Sequence, residues 1–269
     1  MIETIKLIIE EHKSYKKQIF KLAKSDLVKT YNGAALGWSW AVIKPMVTIF
    51  VFWFGFTVGL RSGKPIEGYP YFLWLIAGFL PWFYMQDCIN GGASCIRKYK
   101  HLVTKMKFPI SVIPTYYNIS HLYVHFVLLA ITIVVFALFG FPPDKYLLQI
   151  PIYMAMMFIF FVVWGLLAGV LSCISKDFQN LVVSLSRAIF WMSGIIYNVN
   201  NINHKTVILI LKFNPVTVIA TGYRNTFIYK KWFFEDPTDL ICYFTTLIIF
   251  SILALLAFKK LRKDIPDVL

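Results

Sequence analysis

Six long apolar runs divided by short polar stretches restrict this chain more than any other feature. They cover residues 38–60, 71–89, 110–140, 147–174, 181–197 and 239–258. A helix needs about 20 apolar residues to cross a bilayer, and these runs reach or approach that length. With 58% of residues hydrophobic and only 15% charged, little chain remains for a soluble domain. The expected fold is an all-α membrane protein with six transmembrane helices, one membrane domain over 38–269, and a cytosolic region over 1–37.

Residues 198–238 resist a simple assignment. Val207–Leu211 and Val216–Ala220 are apolar but short, and Lys212, Asn214 and Pro215 divide them. Neither half can span. A single span here would give seven crossings; a hairpin dipping in from outside gives six, with both termini cytoplasmic. The formal charge of +14 decides between them, because Lys and Arg stay inside. The six-span arrangement puts 17 Lys and Arg inside and 8 outside. We therefore expect an extracellular re-entrant helical hairpin at about 206–229, between spans five and six. Its irregular backbone must be buried in protein or line a wet cavity.

The stretch 90–114, NGGASCIRKYKHLVTKMKFPISVIP, is a basic island between two apolar runs. Arg97, Lys98, Lys100, Lys105 and Lys107 carry it with no acid among them. Helix-forming residues run from Ile96 to Lys107 and stop at Phe108-Pro109. Ile96, Leu102, Val103 and Met106 fall near helical spacing, which predicts a short helix with one apolar face to offer to something in the cytosol. An ordinary positive-inside loop is the other reading of the same residues.

Residues 1–37 alternate greasy positions (Ile5, Ile8, Ile9, Ile19, Phe20, Leu22, Leu27) with lysines, the pattern of a helix lying in the headgroup plane; a partly disordered basic tail is the alternative. Lys44 and Arg187 each fall roughly 9 Å inside a span at 1.5 Å per residue. Lys44 either snorkels outward or faces a polar interior. Asp87 is expected to pair with the basic island. His121 and His125 lie one turn apart, and hydrogen-bonded packing fits them better than metal binding, since no further ligand type is near. The four cysteines show neither zinc nor CxxC spacing. Residues 59–64 miss a phosphate loop by one residue, and Pro65 stands where Ser or Thr is needed. Basic charge flanking spans is explained by headgroups, so nucleic acid is not expected as a partner.

Four stretches together resemble ABC-2 type export permeases. Residues 20–46, FKLAKSDLVKTYNGAALGWSWAVIKPM, match in Asp26, Tyr31, Leu36-Gly37, Trp40 and Pro45. The basic island ending in Phe108-Pro109 looks like that family's coupling helix. SKDFQNLVVSLSRAIFWMSGIIY, 175–197, is similar to its fourth-loop and fifth-span motif, and FNPVTVIATGYRNTFIY, 213–229, to its Asn-Pro…Gly-Tyr-Arg segment. One departure is Gly194, where many members have proline after the serine.

The resemblance implies a transporter subunit of a bacterial plasma membrane, not an enzyme, that pairs with itself and with a separate ABC ATPase. ATP and magnesium would bind that partner, with no cofactor or metal in this chain. ATPase coupling would fall to Ile96, Arg97, Lys98, Tyr99, Lys100, Leu102, Val103 and Met106. A re-entrant gate would include Asn214, Pro215, Tyr223 and Arg224. The aromatic content looks most like the polymer exporters of the wall teichoic acid type, which implies a lipid-diphosphate-linked anionic polymer as cargo. Trp38, Trp40, Phe52, Trp53, Tyr71 and Trp74 would line its path or anchor the spans at the interface. Lys44 and Arg187 would attract phosphate. O-antigen, capsule or a small drug are alternative cargoes, and a membrane-bound envelope-assembly transferase is the alternative class.

Overall fold

The computed structural model describes residues 1–33, 35–60, 63–106 and 108–269. They form helices and no strand, beyond one isolated bridge between Ile66 and Tyr69. Two amphipathic helices open the chain, α1 (Ile2–Ser14) and α2 (Lys16–Tyr31). Then come α3 (Trp40–Phe54), α4 (Tyr71–Lys98), the short α5 (Lys100–Met106), α6 (Ile113–Leu138), α7 (Ile150–Ile174) and α8 (Lys176–Met192). The chain closes with α9 (Lys205–Lys212), α10 (Pro215–Arg224), α11 (Pro237–Leu261) and α12 (Ile265–Val268).

Local chemistry explains the starts. Proline occupies the first turn of α6, α7, α10 and α11, where its missing N–H would have no partner anyway. Asn214 caps α10 by accepting from the Val216 amide, and Asp236 caps α11 by accepting from Thr238, both at 3.1 Å.

Among the described residues, five helical segments are long and apolar enough to cross a membrane: Gly37–Gly59, Tyr71–Met106, Ile110–Leu138, Lys145–Ile174 and Pro237–Leu261. The run expected at 181–197 is different. Its helix begins earlier, at Lys176, and has 17 residues. It stops at Met192 because Gly194 takes φ +68°, the left-handed conformation that ends helices. A side chain there would also meet Val199 Cγ2 at 2.3 Å. The glycine that departs from the family pattern is thus required by the turn that follows α8. The segments Lys205–Lys212 and Pro215–Tyr229 pass the same test only as a pair, bent by 98° at their break.

The bundle is built around α4. Of its most apolar window 78% is buried, against 11% for Gly37–Gly59 and 17% for α11. Small residues allow this. A Cβ on Gly92 would lie 3.3 Å from the Gly165 Cα, and one on Gly169 would lie 2.8 Å from Ile96 Cδ1, so α4 and α7 meet nearly backbone to backbone. The same packing carries α4 past the expected end of its span at residue 89, through Gly91-Gly92 to Lys98. A second apolar cluster gathers α2, α5, the start of α6, the end of α7 and the C-terminal residues at one end of the bundle.

Candidate functional site

The basic island does not form one helix over 96–107. Ile96, Arg97 and Lys98 finish α4, Tyr99 is the joint, and α5 carries the rest; Lys107 lies outside the described residues. The apolar face expected to meet a partner is already taken. Ile96, Leu102 and Val103 are buried beside Ile19, Phe108 and Tyr116, and of the four only Met106 is exposed, at 67%. The outward face of α5 is therefore Lys100, His101, Thr104, Lys105 and Met106. Arg97 is also engaged, donating to the carbonyls of Ser172 and Cys173 at the end of α7.

Asp26 of α2 ties this end together. It is 6% exposed. Its carboxylate accepts from the Tyr99 hydroxyl, from Ser120 of α6 at 3.0 Å and from Lys98 at 3.4 Å. The N-terminal helices are thus docked on protein as well as amphipathic. Ile19, Ala23 and Leu27 are buried, His12 meets Thr115 Oγ1 at 2.7 Å, and Ser111 donates to Glu11. Ile5, Ile9 and Phe20 remain exposed. The sequence pattern singled out Asp26 only as a motif acid; its role as a junction depends on contacts 72 to 94 residues distant.

Beside this junction a cleft of about 940 Å³ opens between α3, α4, α6 and α8. Trp40, Lys44, Phe52 and Arg187, expected along a path, all line it, together with Tyr31, Trp82, Asn90, Phe190 and Trp191. Lys44 and Arg187 are exposed. The Lys44 ammonium stands 5.9 Å from the Trp40 ring, and no carboxylate pairs with Lys44 or Arg187 among the described residues. Burial, then the charge of Asp87, raises the Tyr31 hydroxyl above its ordinary value of 10, so it is a neutral donor at the cleft. Asp87 pairs with His121 at 3.3 Å rather than with the basic island, because the continuous helix α4 points it toward α6. His125 is buried and meets the Tyr223 hydroxyl at 2.8 Å, a packing contact.

Trp38, Trp53, Tyr71 and Trp74 do not line the cleft. Trp74 is 1% exposed and donates to the Tyr229 hydroxyl at 2.9 Å. Arg224, also buried, stacks on Trp74 and donates to the carbonyls of Gly194, Ile195 and Trp74. Asn214 donates to Ser193 Oγ at 2.7 Å, and Pro215 begins α10. Asn214 and Arg224 therefore bind α10 to the end of α8 and the start of α4, and Tyr223 binds it to α6; Pro215, Tyr223 and Arg224 are buried.

These features define a multi-pass helical membrane protein with a polar, aromatic-walled cleft and a docked basic end. Comparison with known proteins gives the class a name. A family model described as ABC-2 type transporter matches residues 17–228, and the chain belongs to that family. It is a transporter subunit, not an enzyme, and permeases of this family work with an ATPase partner. The chain is similar to the O-antigen export system permease protein RfbA of Myxococcus xanthus, 25% identical over 221 residues, covering 82% of this chain and 84% of that one. It is similar also to the protein of the same name from Klebsiella pneumoniae, 25% identical over 250 residues, covering 92% and 93%.

Proposed function

We propose that this chain is the membrane subunit of an exporter that moves a lipid-linked polysaccharide across a bacterial plasma membrane. The single observation that carries this is the near full-length similarity to two O-antigen export permeases. The cleft agrees with it: aromatic walls stack on sugar rings, and two unpaired cations suit an anionic lipid head. The cargo is of the O-polysaccharide kind. The aromatic content that resembles the wall teichoic acid exporters has another use here, since Trp74, Phe79 and Phe161 are buried in the core.

The working unit is two copies of this chain with two ATPase subunits. Among the long helices that enter the membrane, the least covered, α3 and α8, flank the cleft, and a two-fold pairing across them would close it. The ATPase docks on the outward face of α5. Six crossings (α3, α4, α6, α7, α8 and α11) with α9 and α10 as the re-entrant hairpin keep both termini cytoplasmic.

The test is complementation. The chain is expressed, each time with its own ATPase, in one strain lacking its O-antigen permease and in another lacking its teichoic acid permease. Surface polymer should return in the first and not in the second. Restoration only in the second would reassign the cargo, and restoration in neither would remove the polysaccharide reading.

A further inference from the structure

Three adjacent residues at the joint between α4 and α5 hold different parts of the molecule. Successive helical residues point about 100° apart, so neighbours in sequence can grip different helices. Lys98 and Tyr99 reach the buried Asp26 of α2, the helix that precedes α3. Arg97 reaches instead to the last turn of α7. There the Leu171 carbonyl accepts from the Ser175 amide. The next two, of Ser172 and Cys173, are the carbonyls that a helix end leaves without an internal partner, and the Arg97 fork caps both. Ser175 alone separates α7 from α8: it ends the first helix and begins the second. A grip on the last turn of α7 is therefore a grip on the root of α8.

Little else holds the length of α8. Of its 17 residues only Val182 and Ser186 are buried. Its far end is fixed. Asn214 donates to Ser193 Oγ at 2.7 Å, and Arg224 donates to the carbonyls of Gly194 and Ile195. A rod fixed at one end and loosely packed along its length moves most at the other. Arg187, Phe190 and Trp191 of this rod line the cleft.

We infer that Arg97 is a positioning residue for transport: it passes movement of α5 to the root of α8 and swings that wall of the cleft about the Gly194 corner. Asp26, held by Tyr99 and Lys98, passes the same movement to α2 and so to α3. One joint thus moves the two cleft walls through separate contacts, and either contact can be cut without the other. Arg97 and Tyr99 act inside the permease and not on the ATPase surface, which is left to the outward face of α5. The inference rests on the proposed docking of an ATPase at α5; it does not depend on the cargo.

The experiment uses the permease in nanodiscs with its ATPase. Environment-sensitive thiol probes are attached at Asn180→Cys, exposed near the root of α8, and separately at Lys29→Cys, exposed near the end of α2; the four native cysteines are buried. ATP should shift both probes in the otherwise unaltered complex. Arg97→Gln should remove the response at 180 and keep the one at 29, and Asp26→Ala should do the reverse. In Arg97→Gln, export per ATP hydrolysed should fall about tenfold, the size of an ordinary coupling between sites, with bound ATPase and hydrolysis unchanged. A merely structural role would instead lower both with the amount of folded protein. Arg97→Lys keeps the charge without the planar fork and should restore the response at 180 only in part. A glycine inserted after Ser175 leaves the Arg97 cap in place but slackens the root of α8, so it should reproduce the loss. That insertion decides the matter if Arg97→Gln fails to fold. Loss of both responses, or of neither, in Arg97→Gln or Asp26→Ala would overturn the inference, as would an insertion variant that responds like the parent. Silent probes in the parent complex would overturn it while complementation still stood. Probes that answer ATP without any exported polysaccharide would remove the export reading and leave the transmission.

Discussion

The Arg224 guanidinium lies over the Trp74 indole, 3.5 Å from the ring centre, with no carboxylate partner among the described residues. Its charge is held instead by the ring face and by three backbone carbonyls, two of them, of Gly194 and Ile195, in the turn that follows α8. A Cβ on Gly78 would strike this guanidinium at 2.2 Å, so α4 is notched to admit it. One side chain thus joins the end of α8, the start of α4 and α10.

Arg224→Met would strand these carbonyls, at about 1–3 kcal/mol for each buried group left unsatisfied. Arg224→Lys should fail to rescue, since an ammonium lacks the planar fork. The measurement is the thermal midpoint in detergent together with the amount of inserted protein. A lysine variant as stable as the parent would show that the charge suffices and the geometry does not matter.

Gly194 offers a sharper test of the same corner. Gly194→Ala must hold a left-handed φ, at roughly 1–2 kcal/mol, and must push Val199 aside, since its Cγ2 stands 2.3 Å from the new carbon. Val199→Ala should remove the second cost and leave the first. Partial recovery of the thermal midpoint in the double variant is therefore expected. Full recovery or none would contradict the division between backbone and packing.

The helices were legible from apolar runs because lipid leaves the backbone few other options. Membership of the cleft was not. Trp40 and Trp74 read alike in sequence, yet one lines the cleft and the other lies under Arg224, because Trp40 opens α3 at the cleft edge while Trp74 is on the side of α4 that meets α10. The island failed in a similar way. Its amphipathic spacing was real, but Leu102 and Val103 spend their apolar face on Ile19 and Phe108, and no local pattern distinguishes a face kept for a partner from one filled by the chain's own N-terminus.

This difference predicts two outcomes on α5. Leu102→Glu places a charge in the inner cluster and should lower the yield of folded permease. Lys100→Glu with Lys105→Glu alters only the outward face and should leave the permease folded while reducing co-purification of the ATPase several-fold, an effect of opposed charge at an interface. Normal ATPase recovery with the double reversal would move the docking surface elsewhere.

Lys212 holds α9 to the start of α11, bonded to Asp236 at 2.7 Å and Asp239 at 2.8 Å. For Asp236, burial alone would raise the carboxyl pKa, but the hydrogen bond and charge of Lys212, with the Thr238 amide, bring it below its ordinary value of 3.8. A depressed carboxyl contributes stability above its unfolded value and loses it as pH falls through the folded one. The contribution is therefore constant near neutral pH and disappears only below about 3.8. Amide exchange over 205–212 should stay slow from pH 7 to pH 5 and speed up in stronger acid, after correction for intrinsic rates. Lys212→Met should remove that acid step at every pH and loosen α9 already at pH 7. An acid step that survives in Lys212→Met would assign it to another carboxylate.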